Sequence, residues 1–401
     1  MEVEKVKKLI FFTLLFALFY GCGQKRDRIE RVIEDGVEVV FNHLEPYNIK
    51  GKPNTLHLEK EFTIDFERED LKETGIREIL GLDVDSGGNI YFIVSRSDAD
   101  LILKFGAQGN LVLSFGRRGE GPGELIAPRY LRVDESECIQ IADNNRKKIY
   151  IFEKNGDFIR AISLLSNHRI ATLLENGNIL VVKNNFNKDI GRGEYPIVLS
   201  NADFEEIKML HPGLWMPNFV LSKRINPLRI YMDYNVLRPS NGLIYVGNYG
   251  KGYEFLIYDT EGNLLRKIRK ECHRVKVLDQ LKEEIENWLT KNLDSFDQYK
   301  NKVYFPEFHP PFQFFFLDEE NRLYVMTYEQ GQGTNNFIYD IFDAEGLFIG
   351  RIELDNYGSS PFSVTEILVP LDVVSKNNRL YCLREKESGY KELVVYKMRW
   401  E

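Results

Sequence analysis

Cysteine is scarce in this chain, with four residues in 401 and none in a C-x-x-C pair, so no disulfide framework staples it. Histidine is scarce too: the six residues His43, His57, His168, His211, His273 and His309 stand isolated in sequence and leave few imidazoles for chemistry. Positive charge is in deficit, 53 Lys and Arg against 61 Asp and Glu, a net −8. That balance argues against a nucleic-acid partner, which needs a cationic face to replace phosphate counterions. The motifs of the common hydrolases and nucleotide enzymes are missing: no G-x-S-x-G elbow, no H-E-x-x-H, no Walker P-loop, and no G-x-G-x-x-G after a strand. No catalytic residue and no metal ligand is assigned. Aromatic residues, by contrast, reach 13%, with 27 Phe and 21 Tyr, a composition suited to β-structure.

The longest apolar run lies at the start. Lys5, Lys7 and Lys8 precede Leu9 to Tyr20, in which only Thr13 is polar. As a helix, twelve residues span about 18 Å, short of a bilayer core of about 30 Å, so the run reads as the core of a signal peptide. It ends at Gly21-Cys22, ahead of the polar stretch Gly23-Gln24-Lys25-Arg26-Asp27-Arg28. This arrangement resembles a bacterial lipoprotein signal, in which Cys22 would be diacylated and become the first mature residue. Phe19 and Tyr20 depart from the usual residues before such a cysteine. The resemblance implies a signal peptide over 1–21, a linker over 22–34 and an exported body held by its acyl chains. The membrane would be the outer one, on its periplasmic side. Cys138, Cys272 and Cys382 read as small, apolar packing residues.

The organising feature is a degenerate repeat. A short strand after an Asp, Gly or Asn turn occurs at 88–92, 138–141, 177–181, 242–246, 321–325 and 378–382, anchored on Ile90, Ile139, Ile179, Ile244, Leu323 and Leu380. Each copy is followed by a hairpin, with turns at Gly109, Gly156, Asp203, Gly262 and Gly346 in the first five. Each is preceded by a further apolar stretch. Four strands per unit, six times over, predict an all-β, six-bladed β-propeller across 35–401, with a small helical insertion. The sixth copy runs out after its third strand, Leu393-Val394-Val395-Tyr396. Two spare strands lie before blade 1, at 37–41 and 57–66, and the second is expected to complete the last blade and close the ring.

The stretch Phe115-Gly116-Arg117-Arg118-Gly119-Glu120-Gly121-Pro122-Gly123-Glu124, followed by Pro128 and then Ala142-Asp143-Asn144, resembles an NHL repeat. With the N-terminal signal and the stretch from Gly36 to His43, nearly the whole chain is similar to secreted six-bladed propeller lipoproteins of Gram-negative bacteria, which generally have no assigned activity.

Propeller geometry puts the turns within each blade's two hairpins on one face. The blade-to-blade and central B–C connections lie on the other. The second set carries the length, with insertions at 209–237 and 270–312. In the latter, Leu278, Leu281, Ile285, Trp288 and Leu289 recur at helical steps, and their stripe is expected to pack over the ring. Candidate ligand or partner contacts on this face are Arg117, Arg118, Arg129, Asn144, Arg146, Tyr249, Tyr328, Trp215 and Trp288. The loop from Gly116 to Gly123, with Arg117 and Arg118, has a structural reading as the shaped crossing between blades and a functional one as an anion cradle. Asp143 reads mainly as a brace for that loop, and His309 as rim packing. These features point to a non-catalytic binding or scaffolding module of the cell envelope, recognising an envelope protein, a peptide or a glycan. The alternative is a calcium-dependent, lactonase-like hydrolase or lyase using Glu124, Asn144 and Asn185 at the channel mouth. Only that alternative calls for a cofactor.

Overall fold

The computed structural model describes residues 29–48, 51, 53–72, 76, 78–95, 100–187, 192–212, 215–216, 224–228, 237–247, 252–292, 296–333, 336–355 and 372–401. The signal segment, Cys22 and Tyr249 lie outside these residues. Three strands precede the first blade: β1 (Glu30–Glu34), β2 (Val37–Asn42) and β3 (Leu56–Asp65). Blade 1 comprises β4 (Glu78–Val84), β5 (Ile90–Ser95), β6 (Asp100–Phe105) and β7 (Leu111–Arg117). Blade 2 comprises β8 (Pro128–Val133), β9 (Ile139–Asp143), β10 (Lys148–Phe152) and β11 (Phe158–Ser163). Blade 3 takes β12 (His168–Leu173) and β13 (Ile179–Lys183), then, after the short strands β14 (Asn185–Asn187) and β15 (Arg192–Glu194), β16 (Ile197–Ser200) and β17 (Glu206–His211). Past β18 (Trp215–Met216), blade 4 is β19 (Leu237–Ser240), β20 (Leu243–Gly247), β21 (Glu254–Asp259) and β22 (Leu264–Lys270). Blade 5 is β23 (Phe314–Leu317), β24 (Leu323–Gln330), β25 (Asn336–Phe342) and β26 (Phe348–Asp355). Blade 6 is β27 (Val373–Lys376), β28 (Arg379–Glu385) and β29 (Lys391–Trp400), with β3 as its fourth strand.

The six repeat anchors fall on the second strand of each blade, and their chemistry explains why. Side chains alternate across a strand, yet both faces of these strands are covered. In β5, Ile90, Phe92 and Val94 pack into the core shared with blade 6, while Tyr91 and Ile93 pack toward blade 2. In β24, Tyr324 and Met326 face blade 6 while Leu323 and Val325 face blade 4. A strand buried on both faces needs a continuous apolar run rather than an alternating one. Six apolar clusters fill the six blade-to-blade interfaces. Cys382 is buried in one of them, Cys138 and Cys272 are half-buried, and among the described residues none of the three forms a disulfide.

Closure runs as expected. β3 pairs antiparallel with β29 from Asp65 opposite Glu392 to Leu56 opposite Trp400. The pairing continues past the strand, as Asn54 and Thr55 donate to the Glu401 carbonyl and the Glu401 amide donates back to Thr55. The other spare strand neither closes a blade nor starts a seventh. β1 and β2 form a hairpin through Asp35 and Gly36, both at positive φ, as a two-residue turn requires. β2 then adds in parallel to β22, so blade 4 becomes a six-stranded sheet. Residues 30–34, assigned above to the linker, are therefore strand.

This N-terminal strap is pinned to blade 4 by charge and seamed to blade 5 by one amide. Arg269 reaches Glu34 with both terminal nitrogens, at 2.6 and 2.8 Å, and Arg266 pairs with Glu38 at 2.8 Å. Asn42, fully buried, donates to the carbonyls of Arg269 and Gly346 and accepts from the Phe348 amide. Past Tyr47, whose amide donates to the Phe348 carbonyl, the strap crosses Gly350 so closely that a Cβ there would lie 2.6 Å from the Asn54 oxygen. It then enters blade 6 as β3.

A charged cluster lies in the seam of blades 4 and 5. Asp340, 1% exposed, accepts from Tyr253 at 2.9 Å and from Arg351 at 2.9 Å, and faces Lys270 at 3.3 Å. Removing the carboxylate would strand the buried Lys270 ammonium without its counter-charge. Asp340→Ala is accordingly expected to lower stability by about 3–5 kcal/mol, read by chemical denaturation. A loss under about 1 kcal/mol would show that water reaches the cluster.

Candidate functional site

The two faces of the ring are built differently. On one, an Asp or Asn closes tight turns by accepting backbone amides. Asp85 accepts from Asn89, Asp134 from Ser136 and Cys138, Asp318 from Glu320 and Arg322, and Asp343 from Glu345 and Leu347. The predicted turn at Asp203 follows this scheme with Asn201 as acceptor, and it is Phe204 that takes the positive φ. The Tyr91 and Tyr324 hydroxyls donate to the second oxygens of Asp85 and Asp318. That face is occupied with its own hydrogen bonds.

The opposite face carries both insertions, and they fold onto each other. Ile225 bridges to Val303, the Ile225 amide donates to the Lys302 carbonyl, and the Tyr304 amide returns to Ile225. Ile225, Leu228, Val277, Ile285, Leu289 and Phe296 form a seventh apolar cluster with Leu281 and Trp288 around it. The helix is present, at Asp279–Asn292, but its stripe packs against the other insertion rather than over the ring. Leu278, counted in that stripe, is 59% exposed and lies outside the helix. A small sheet ties a second pair of loops on this face: β15 pairs with β14 on one side and β18 on the other, with Trp215 opposite Glu194. Together these segments make a cap.

The candidate residues of the first crossing are brought together. β7 ends at Arg117, the chain turns through Arg118 and returns beside itself, with Leu125 donating to the Arg117 carbonyl, and β8 starts at Pro128. Gly116 and Gly123 adopt positive φ, and a Cβ would lie 2.9 Å from Leu125 and 2.8 Å from Phe158, so packing accounts for both. Asp143 braces the crossing, one oxygen accepting from Ile126 and Ala127 and the other from Asn145 and Arg146. Asn144 donates its amide to the Ala127 carbonyl, and the Arg146 guanidinium donates to the Glu120 carbonyl at 2.6 Å. Arg117 and Arg118 are exposed, and Arg129 is half-buried. Glu124, a ligand in the calcium alternative, accepts from the Gly121 amide.

Arg129 occupies a bulge. Pro128 pairs with Asp143 and Tyr130 with Ala142, leaving Arg129 between them without a partner position on the innermost strand. Blade 3 repeats the device, since His168 pairs with Lys183 and Ile170 with Val182, with Arg169 in the bulge. A bulge re-aims the side chain it carries. Arg169 lies over the Tyr195 ring at 4.9 Å. Sequence reasoning missed it, although Pro128-Arg129-Tyr130 and His168-Arg169-Ile170 repeat one arginine at the start of two successive innermost strands.

The remaining candidates lie apart from the crossing. Tyr328 is buried and stacks on His309, centroids 4.1 Å apart and planes at 15°. Trp288 is half-buried against the cap core, and Trp215 is placed by the backbone of β18. Among the described residues, no group of three or more His, Cys, Asp or Glu side chains is arranged to hold a metal ion. Among the same residues no helix is long and apolar enough to cross a membrane.

Comparison with known proteins gives the fold a wider frame. The family model of DUF5128, described as a 6-bladed beta-propeller, matches residues 82–224. The chain is similar to a putative exported protein of Bacteroides fragilis at 12% identity, with TM-score 0.52 over 90% of this chain and 99% of that one. It is similar to a DUF4221 family member of Bacteroides vulgatus at 15% identity and TM-score 0.47, covering 87% and 100%. Over 48 residues, 12% of this chain, it is 40% identical to Protein lin-41 of Caenorhabditis elegans, and the match spans 4% of that protein. The chain is a six-bladed β-propeller. At these identities the structural likeness speaks to fold alone.

Two histidines make the ring acid-sensitive. Burial lowers the His309 ring to about 4, and burial with Lys183 and Lys147 nearby lowers His168 to about 4. Both rings titrate near 6.5 in an unfolded chain. Between those values the unfolded state binds more protons, so stability present above pH 6.5 is lost as pH falls toward 4. Asp83, raised to about 6 by desolvation, works in the opposite sense below pH 6. His309→Phe keeps the stack on Tyr328 and removes one titration. Its melting temperature is expected to fall less between pH 7 and 4.5 than that of the parent chain, and an unchanged slope would refute the assignment.

Proposed function

We propose that this chain is an exported, non-catalytic β-propeller of the bacterial cell envelope, anchored by lipid on Cys22, that holds a ligand or partner on the capped face. An envelope protein, a peptide or a glycan fits that role, and attachment to the periplasmic side of the outer membrane follows from the resemblance of the N-terminal segment to a lipoprotein signal. One observation carries the reading. The cap has a core of its own, built from residues of the two insertions and separate from the six clusters that close the ring. An elaboration that the ring does not need, placed on the face with the long connections, is what a binding surface requires.

Deletion of 276–296 removes the cap helix and leaves the interblade clusters intact. Cross-linking in the envelope is expected to recover a partner with the parent chain and not with the deletion, while the strand signal in circular dichroism persists. The same partners recovered from both would refute the reading.

In the calcium-dependent alternative, oxygen ligands from several blades would meet a cation at the channel mouth. The engagement of Glu124 by its own loop favours the binding reading. Melting in excess EDTA and in millimolar calcium is therefore expected to coincide. A metal at about 100 times its Kd would add about 2.7 kcal/mol, and a rise of that size would establish the alternative.

A further inference from the structure

Many arginines among the described residues have a counter-charge: Arg132 meets Glu175, Arg266 meets Glu38, Arg269 meets Glu34, and Arg351 meets Asp340. Three that lack one stand in or just after a single crossing. No carboxylate among the described residues pairs with Arg117, Arg118 or Arg129. Arg117 and Arg118 open the crossing from blade 1 to blade 2, and Arg129 stands in the bulge just after it. Arg146 is bound to the same crossing through the Glu120 carbonyl and pairs with the Glu120 carboxylate at 3.8 Å, while its Nε is shut from water without a partner. The next bulge supplies Arg169 over Tyr195.

A chain of net −8 has acids enough to neutralise these cations, yet Asp143 and Glu124 beside them are turned inward onto backbone amides. Holding like charges together, one of them half-buried, costs free energy that a bound anion recovers. Guanidinium forks match carboxylates in two-point geometry, and three of them along one crossing suit a polymer that repeats its carboxylates. Resting on the binding reading above, we propose that this crossing is a site for an acidic glycan. Arg117, Arg118 and Arg129 take its carboxylates.

Affinity electrophoresis of the full chain in native gels containing polygalacturonate tests this, with neutral dextran and single-stranded DNA as comparison polymers. Polygalacturonate is expected to retard the parent chain and dextran is not. Arg129→Gln and the double variant Arg117→Gln/Arg118→Gln should each raise the half-retarding concentration by about tenfold or more, as loss of charge-assisted bonds does. Arg160→Gln removes an exposed arginine of β11 that pairs with no carboxylate among the described residues and is not part of the crossing, and should leave retardation unchanged. The double variant changes only exposed side chains, so its result stands even if Arg129→Gln fails to fold. No retardation, equal loss in Arg160→Gln, or DNA bound as tightly as polygalacturonate would overturn the proposal. If polygalacturonate fails while partner recovery still depends on the cap, the ligand class falls and the binding reading survives.

Discussion

Everything in this ring depends on the pairing of β3 with β29. Blade 6 has three strands of its own, and its fourth comes from the other end of the chain, more than 320 residues away. Backbone hydrogen bonds along that ladder convert an open arc of blades into a closed circle. Only in the circle does blade 6 gain a partner for Tyr381 and Leu383 against blade 1, since both sides of every blade must be covered. The pairing is also extended beyond the strand, where Asn54, Thr55 and Glu401 exchange backbone bonds. Loss of these few pairs would expose two apolar blade faces at once.

The strap that delivers β3 does more than reach it. By adding β2 to β22 it covers the outer edge of blade 4, and by placing Asn42 between Gly346 and Phe348 it ties that edge to blade 5. One continuous segment thus spans blades 4, 5 and 6. These are the blades on either side of the buried Lys270–Asp340 pair and the closure itself. A buried pair is weak evidence of stability in itself, but here it sits in the seam that Asn42 of the strap ties together. The cap insertion departs directly from the end of blade 4, so the load of a cap falls on the most braced part of the ring.

Much of this was legible in residues because it depends on local chemistry. The doubly buried second strands announce themselves as runs such as Ile90-Tyr91-Phe92, and the Asp and Gly turns mark their starts. The closing strand could be inferred from a deficit, since the last blade lacked one strand. Other features depend on pairs far apart in sequence. Nothing in Val37–Phe41 specifies that its partner is β22, and in parallel, because an alternating strand suits any free edge. The helix stripe of Ile285 and Leu289 showed that something covers it, but only the fold shows that the cover is Ile225 and Leu228. At the site, the glycines and Asp143 of the first crossing were readable, with their bracing role. The bulge under Arg129 and Arg169 was not, since a bulge is a property of the register between two strands.

The contrast between the two faces follows from one rule of backbone satisfaction. Where connections are two to five residues long, an Asp or Asn at the turn absorbs the free amides, and little is left to bind anything else. Where connections are long, the chain must satisfy its amides by pairing with other connections, as Ile225 does with Lys302 and β15 with β18. Such pairing builds new surface with its own core. The first crossing lies between these extremes. It is short enough for Asp143 and Glu124 to satisfy its amides internally, and that use of the carboxylates is what leaves the neighbouring guanidiniums without their natural partners. The excess positive charge at Arg117, Arg118 and Arg129 is therefore a consequence of how the loop is held, in a chain whose total charge is of the opposite sign. A ligand that supplies the missing anion completes a balance that the loop's own structure sets aside.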